Sequence, residues 1–239
     1  MKILALESSA KAASCAVLSD GVPLAQAWQA TGLTHSRTLL PMVQDMLRSS
    51  EFTLADMDAI AVAAGPGSFT GLRIGLATVK GLSWAEDKPC LGISTLEGMA
   101  HPLRHLNGII VCAMDARRAQ IYNAVFLAEA GTLTRIREDR AISLEDAAAD
   151  IREFNGRPMT IVGDGAVLCY EYFTNAGISC ALAPAHLRQQ SALGVAMAAE
   201  EAGIEASCSA QDLSPVYLRL SQAERERLAR ERCSLYPHG

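Results

Sequence analysis

The apolar positions at the start of the chain follow a strand-like pattern. The segment 2–9 is apolar nearly throughout, which is typical of a strand buried on both faces of a sheet. Two further strands are predicted at 14–18 and 23–30, with Asp20-Gly21 as the turn between them. The pattern therefore predicts a three-stranded meander at the start of the chain.

The pattern then changes to alternating helices and strands. Apolar residues at spacings of three and four predict a helix that Ser36 caps and Pro41 kinks. The following elements are predicted as a strand at 59–64, a glycine-rich turn at 65–71, a helix at 72–84 and a strand at 89–93. The order of elements in the first half is βββαβαβ.

The second half of the chain repeats this order. We predict strands at 109–114, 120–127, 133–141, 159–162 and 178–182, and helices at 144–154 and 167–175. Two successive βββαβα units resemble an α/β protein with the duplicated ribonuclease-H-like fold of the actin and hexokinase (ASKHA) type.

This repeat predicts the domain organisation. We expect a first lobe at 1–105, a smaller second lobe at 106–190, and C-terminal helices at 191–239 that return toward the first lobe. The stretch 221–232 alternates Glu and Arg, which indicates a solvated helix. Its alternative interpretation is a basic contact for a partner or a nucleic acid.

Amino-acid composition limits the classes of protein to which this chain can belong. Half of the 239 residues are apolar and the formal net charge is −5, so the surface lacks the broad basic field that neutralises phosphates. The seven cysteines are scattered without a C-x-x-C pair, which is typical of reduced thiols. No apolar run approaches the roughly 20 residues that span a bilayer, and Glu7 precedes any secretory apolar region. We therefore expect a soluble, unexported, cytoplasmic protein.

The glycine-rich loop is the first candidate binding element. It follows a buried strand and opens a helix, where backbone N–H groups can gather around an anion. The candidate nucleotide or phosphate ligands are Gly65, Gly67, Ser68, Thr70 and Gly71. The loop has neither the Lys-Ser/Thr pair of a Walker A motif nor the G-x-G-x-x-G order. Glycines that only permit a tight turn and close packing are the alternative, and both interpretations stay open.

The longer motif G-P-G-S-F-T-G-L-R-I-G at 65–75 resembles the hallmark of the TsaB (YeaZ) family. Other stretches that resemble this family lie at 3–9, where Glu7 stands in place of a frequent Asp, and at 35–41, 114–122 and 215–219. The resemblance covers essentially the whole chain. It implies a non-catalytic scaffold, not an enzyme, in the complex that forms N6-threonylcarbamoyladenosine in tRNA next to the anticodon.

The resemblance also implies partners and cofactors. It implies binding to the catalytic relative TsaD, association with the ATPase TsaE, a homodimer when isolated, contact with tRNA only through the complex, and no membrane contact. No cofactor is expected on this chain alone, because ATP or ADP and a divalent metal would sit on the partner subunits. The two helices of the first lobe should form the partner interface through Leu39, Met42, Val43, Met46, Leu72, Leu76 and Val79. Core packing is the alternative explanation for these residues.

The residue types at 95–99 argue against a metal site in this chain. The metal motif of TsaD begins H-M-E-G-H, and the equivalent stretch here is Thr95-Leu96-Glu97-Gly98-Met99. A hydroxyl and a thioether are poor ligands where two imidazoles would bind a metal, and Glu97 fits a capping box that begins at Ser94. His101 and His105 indicate a surface pair. No catalytic or metal-binding residue is predicted.

An enzyme of the same fold is the main competing class. In a stand-alone actin-like ATP-dependent kinase or transferase, Glu7 and Asp115 would supply carboxylates, and the loops at 65–71 and 163–165 would contact phosphates. The short second half leaves little room for an adenosine-binding insertion. Asp115 is better explained as part of an Asp-Arg pair or as a turn cap, and 163–165 as a turn. A free-standing tRNA-binding module, recognisable by strong salt dependence, is a further alternative.

Overall fold

The structure is a computed structural model that describes residues 1–219. The predicted charged helix at 221–232 lies outside the described residues. Strands of the first sheet are β1 (Lys2–Glu7), β2 (Ala13–Ser19), β3 (Val22–Gln29), β4 (Ala59–Gly65) and β5 (Cys90–Ser94), in the order β3-β2-β1-β4-β5. β1 lies at the centre, antiparallel to β2 and parallel to β4. Its apolar run is explained because helices cover both faces of this sheet.

Three helices cover the first sheet: α1 (His35–Ser49), α2 (Phe69–Glu86) and α6 (Ala192–Ala202). The short helix α3 (Thr95–Ala100) follows β5 and packs Leu96 and Met99 against the strands of the second sheet. Leu4 and Leu6 point to the face covered by α1 and α2, whereas Ile3 and Ala5 point to the face covered by α6. The alternation of side chains along a strand therefore gives this lobe two cores.

The second sheet has the same topology. Its strands are β6 (Gly108–Asp115), β7 (Gln120–Glu129), β8 (Thr132–Ser143), β9 (Met159–Val162) and β10 (Ala181–Leu182), in the order β10-β9-β6-β7-β8. Helices α4 (Leu144–Ile151) and α5 (Ala166–Asn175) pack against it. The repeated order confirms the predicted duplicated ribonuclease-H-like fold. None of the helices in residues 1–219 is long and apolar enough to cross a bilayer.

Several element boundaries differ from the predictions. α1 begins at His35 after Thr34 and not after a Ser36 cap, and it continues through Pro41. α2 begins at Phe69, because the Ser68 side chain accepts the Gly71 N–H and caps the helix there. The last predicted strand, at 178–182, shortens to Ala181–Leu182.

The residues predicted for the partner interface lie in the core of the first lobe. Leu39, Val43, Met46, Leu72, Leu76 and Val79 are buried, and Met42 is half-buried against the same cluster. An amphipathic helix on a sheet turns its apolar stripe inward, and this requirement accounts for all seven. The six buried side chains do not form a surface, so the prediction is corrected for them. Met42 is partly exposed, and its role in an interface stays a prediction. The participation of the two helices stays a prediction.

Candidate functional site

A cleft of about 490 Å³ opens between the two lobes. The first lobe contributes residues 9–11 and the glycine-rich loop, and the second contributes Asp115, Arg117 and Asp164. Residues 216–219 line the same cleft. Its volume is within the range of small-molecule sites in proteins.

The glycine-rich loop lies partly on this cleft. Gly67, Ser68 and Thr70 line it. Gly65 and Gly71 instead permit close backbone approaches: an added Cβ at Gly65 would lie 2.2 Å from the Val216 carbonyl oxygen, and one at Gly71 would lie 2.1 Å from that of Ser8. The packing interpretation of these two glycines is therefore supported by specific contacts.

Two polar groups of the loop already have protein partners. The Ser68 N–H donates to the Ser9 carbonyl at 2.7 Å, and the Gly71 N–H donates to Ser68 Oγ at 3.3 Å. These two N–H groups are consequently not free for an anion. An anion-binding role of the loop stays a prediction, and it would depend on the other N–H groups near the start of α2.

Three carboxylates lie at or below the cleft floor. Glu7 is fully buried and accepts the Ser9 N–H; burial raises the pKa of Glu7 to about 7. Burial also raises the pKa of Asp164, which accepts a hydrogen bond from Gln190 Nε2 at 3.1 Å. Asp115 Oδ1 accepts the Arg117 N–H at 2.7 Å, as expected of a turn cap.

The cleft also carries cationic and hydroxyl groups. Ser9 Oγ is buried and has no hydrogen-bond partner among residues 1–219. Arg117, Arg118 and Ala119 have φ values of 63°, 58° and 55°, an unusual run of left-handed non-glycine residues. This turn exposes two arginines beside the cleft. No turn signal such as Asn-Gly is present at 117–119 to predict it. The cleft therefore carries both signs of charge, with carboxylates at its floor and arginines at its rim.

The stretch equivalent to the TsaD metal motif is packed into the protein. Thr95 and Met99 are buried. Glu97 Oε2 lies 2.6 Å from Arg135 Nη2, and the neighbouring His101 ring and then Arg135 lower the pKa of Glu97. The donor set of one hydroxyl, one thioether and one paired carboxylate does not fit a divalent metal.

The local contacts of this stretch were only partly predicted. Ser94 Oγ accepts the Glu97 N–H at 3.2 Å, which confirms its role as a helix cap. The Glu97 carboxylate binds Arg135, a contact between the lobes that the sequence did not reveal. Within residues 1–219, no group of three His, Cys, Asp or Glu residues is arranged to hold a metal ion.

The prediction of a surface histidine pair was wrong for one member. His101 is only 1% exposed, with Nε2 3.9 Å from Glu97 Oε1 and Nδ1 3.9 Å from Glu201 Oε2. His105 is exposed. The chain turns tightly after α3, which directs His101 toward α6, and Glu201 lies too far along the sequence to be recognised as a neighbour.

The outward surfaces of α1 and α2 carry a different set of side chains. Arg73, Ala77, Gly81 and Trp84 recur at spacings of four, four and three along α2, and Trp84 is 79% exposed. α1 and α2 both pack on the same side of the first sheet, and each turns an outward surface to solvent. We call this surface the outer α1–α2 face; its residues are Leu40, Pro41, Gln44, Arg73, Ala77, Gly81 and Trp84.

Comparisons with known proteins place the chain in a family. A family model described as "TsaD: tRNA N6-adenosine threonylcarbamoyltransferase" matches residues 29–226. The "tRNA threonylcarbamoyladenosine biosynthesis protein TsaB" of Bacillus subtilis is 30% identical over 225 residues, which are 94% of this chain and 96% of that protein. The Escherichia coli protein of the same name is 39% identical over 128 residues, 53% of this chain and 55% of that protein.

Solved structures agree with the topology. "YeaZ from Pseudomonas aeruginosa" superimposes with a TM-score of 0.76 at 27% identity, over 91% of this chain and 99% of that one. Component A of (R)-2-hydroxyglutaryl-CoA dehydratase from Acidaminococcus fermentans gives a TM-score of 0.50 at 13% identity over 84% and 98% of the two chains, which shows the fold alone. The full-length match to the Bacillus protein, together with the TsaD-type family model, shows that the chain belongs to the TsaB family of tRNA threonylcarbamoyladenosine biosynthesis proteins.

Proposed function

We propose that this protein is a non-catalytic scaffold subunit of the complex that forms N6-threonylcarbamoyladenosine in tRNA next to the anticodon. One observation carries the proposal: Thr95 and Met99 are buried where TsaD has histidines, and Glu97 between them is held by Arg135. A site built this way offers no open, adjustable ligand set for a metal. The transfer of the threonylcarbamoyl group is therefore assigned to a related subunit that keeps those histidines.

The binding surface for that relative is the outer α1–α2 face. Trp84 supplies a large exposed aromatic side chain, and aromatic side chains often dominate the energetics of protein interfaces. An added Cβ at Gly81 would meet no atom within 4 Å, so a partner helix can approach α2 closely there. TsaD, which resembles this chain in sequence, would present the corresponding helices in a pseudo-symmetric arrangement.

The same face explains the other expected assemblies. In the absence of TsaD, two copies of this chain would pair through it as a homodimer. TsaE would join the TsaB–TsaD pair, and ATP or ADP and the divalent metal would be bound by those partner subunits. The net charge of −5 supports contact with tRNA through the complex and not by this chain alone.

The interface is tested by placing charges on the outer α1–α2 face. Ala77→Glu and Gly81→Glu change exposed positions of α2 and should leave the fold intact. We expect each to weaken TsaD binding at least tenfold in titration calorimetry, because an unpaired carboxylate would be desolvated in the interface. Val167→Glu, at an exposed position of α5, is the matched control. Binding of all three variants at wild-type strength would reject this surface.

A catalytic alternative is favoured by the carboxylates of the cleft. Glu7, Asp115 and Asp164 lie at or beneath the floor of a cavity large enough for a small molecule. A kinase or transferase that uses them would turn over ATP without a partner, and Glu7→Gln or Asp115→Asn would abolish the turnover. We expect the purified chain to show no such activity, whereas turnover that depends on either residue would support the enzyme.

A further inference from the structure

Residues 214–219 form a strap that is bonded to both lobes. The Val216 N–H donates to the Ala64 carbonyl at 2.8 Å, at the end of β4 in the first lobe. Arg219 Nη1 donates to the Ala116 carbonyl, at the β6–β7 turn of the second lobe. The side chains between these two anchors line the cleft. A single short stretch therefore connects the lobes across the mouth of the cleft.

An aromatic and cationic cluster fixes the middle of the strap. The rings of Tyr217 and Phe69 stack with centroids 4.0 Å apart and planes inclined by 13°. Arg73 Nε donates to Tyr217 Oη at 3.1 Å, and Arg73 Cζ lies 4.2 Å from the Phe69 ring centroid. Stacking, a hydrogen bond and a cation–π contact thus converge on one tyrosine.

The glycine-rich loop is shaped to receive the strap. Gly65 has φ 134°, and an added Cβ would lie 2.2 Å from the Val216 carbonyl oxygen. Only glycine combines that backbone conformation with that approach. The loop and the strap are adjacent although about 150 positions separate them in the sequence.

Arg73 belongs to two surfaces at once. It holds Tyr217 of the strap, and it is an exposed residue of the outer α1–α2 face. A partner that binds this face contacts the same guanidinium that closes the strap. The position of the strap and the shape of the partner surface are therefore physically connected through one side chain.

We infer that the strap is a latch between the lobes and that its closure and TsaD binding favour each other through Arg73. This inference rests on the proposed function, because it assumes TsaD on the outer α1–α2 face. When the strap is closed, Tyr217 and Phe69 hold the guanidinium in one position, which preorganises the surface. Such coupling is reciprocal. If closure of the strap raises the affinity for TsaD by a given factor, bound TsaD must favour the closed strap by the same factor.

The hydrogen-exchange rate of the Val216 amide measures the opening of the strap directly. Tyr217→Ala removes the stack and the hydrogen bond, and it should raise the exchange rate of that amide in the isolated chain at least tenfold. Tyr217→Phe keeps the ring and should have a smaller effect, about threefold. Tyr172→Ala, at an exposed tyrosine of α5, is the control and should leave the rate unchanged. An unchanged rate in Tyr217→Ala would overturn the latch.

Titration of TsaD against the same variants tests the coupling. We expect Tyr217→Ala to weaken binding about tenfold, Tyr172→Ala to match the wild type, and bound TsaD to slow the exchange of the wild-type Val216 amide. If the Val216 amide exchanges faster in Tyr217→Ala but this variant binds TsaD like the wild type, strap closure and TsaD binding are not coupled. If wild-type protein fails to bind TsaD at all, the proposed function fails, and the exchange data on the isolated chain still decide whether the strap is a latch.

Discussion

Arg135 of β8 and Glu97 of α3 form an ion pair between the two lobes, with Nη2 and Oε2 2.6 Å apart. Arg135 is also paired with Asp139, which in turn accepts a hydrogen bond from Ser94 Oγ. This network surrounds the stretch 95–99, which resembles the start of the TsaD metal motif. The Glu97 carboxylate therefore joins α3 to β8.

Loss of this ion pair should destabilise the protein. Arg135→Met leaves Glu97 and Asp139 partly buried without their cation, and we expect the free energy of unfolding to fall by about 1–3 kcal/mol. Urea denaturation measures the change. Arg104→Met, which removes a more exposed pair with Glu201, should cost less than about 1 kcal/mol. Equal effects of the two substitutions would contradict the structural role assigned to Arg135.

Glu7 should make stability depend on pH. Its pKa rises from an ordinary 4.5 to about 7 in the folded protein because the carboxylate is buried. Between these values the folded state holds a proton that the unfolded state releases, so stability falls as pH rises from about 4.5 to 7. The corresponding free energy is at most about 3 kcal/mol.

Glu7→Gln removes that titration. Denaturation at a series of pH values should show a flatter profile for the variant than for the wild type between pH 5 and 7, and a more stable variant at pH 8. Glu205→Gln, at an exposed position, serves as the control. Parallel profiles of the wild type and Glu7→Gln over this interval would contradict the buried, protonated state of Glu7.

Two glycine substitutions should have opposite effects. Gly65→Ala forces a Cβ against the Val216 carbonyl at φ 134°, and we expect a loss of more than about 2 kcal/mol in unfolding free energy. Gly81→Ala lies in open space inside α2 and should stabilise the isolated chain by about 0.5–1 kcal/mol. Thermal denaturation of both variants checks the prediction, which fails if Gly65→Ala is as stable as the wild type.

The cysteines should differ in reactivity. Burial raises the pKa of Cys15 and Cys169 to about 12 and that of Cys112 well above its ordinary value. Because the thiolate is the reactive form, these three should resist alkylation at pH 8. Among the six cysteines of residues 1–219, the half-buried Cys180 and Cys208 should react first. Peptide mass spectrometry after timed alkylation measures the order. Labelling of Cys15 in the folded protein as fast as Cys208 would contradict it.

Local patterns predicted most of the fold but less of the site. The caps formed by Ser94 and Ser143 could be predicted because donor and acceptor are three residues apart. The burial of His101 could not, because Glu201 joins it only after α6 folds against α3.

The residues of the partner interface could not be predicted from the sequence either. Apolar periodicity predicts which face of a helix is buried, but burial in the chain's own core and burial against a partner give the same pattern. The pattern alone therefore predicts Met42 and Met46 at a partner interface, whereas the structure packs both against the core of the first lobe. Likewise, no local pattern at 215–219 predicts the contact of this segment with Gly65.

Reconstituted tRNA modification tests the central claim most directly. The reaction would contain tRNA, the threonylcarbamoyl donor system, TsaD and TsaE, with this chain omitted, added as wild type, or added as the Glu7→Gln/Asp115→Asn double variant. A parallel set of reactions would omit TsaD. The account predicts that modification requires this chain and that the double variant supports it like the wild type. Modification by this chain without TsaD, abolished in the double variant, would contradict the account.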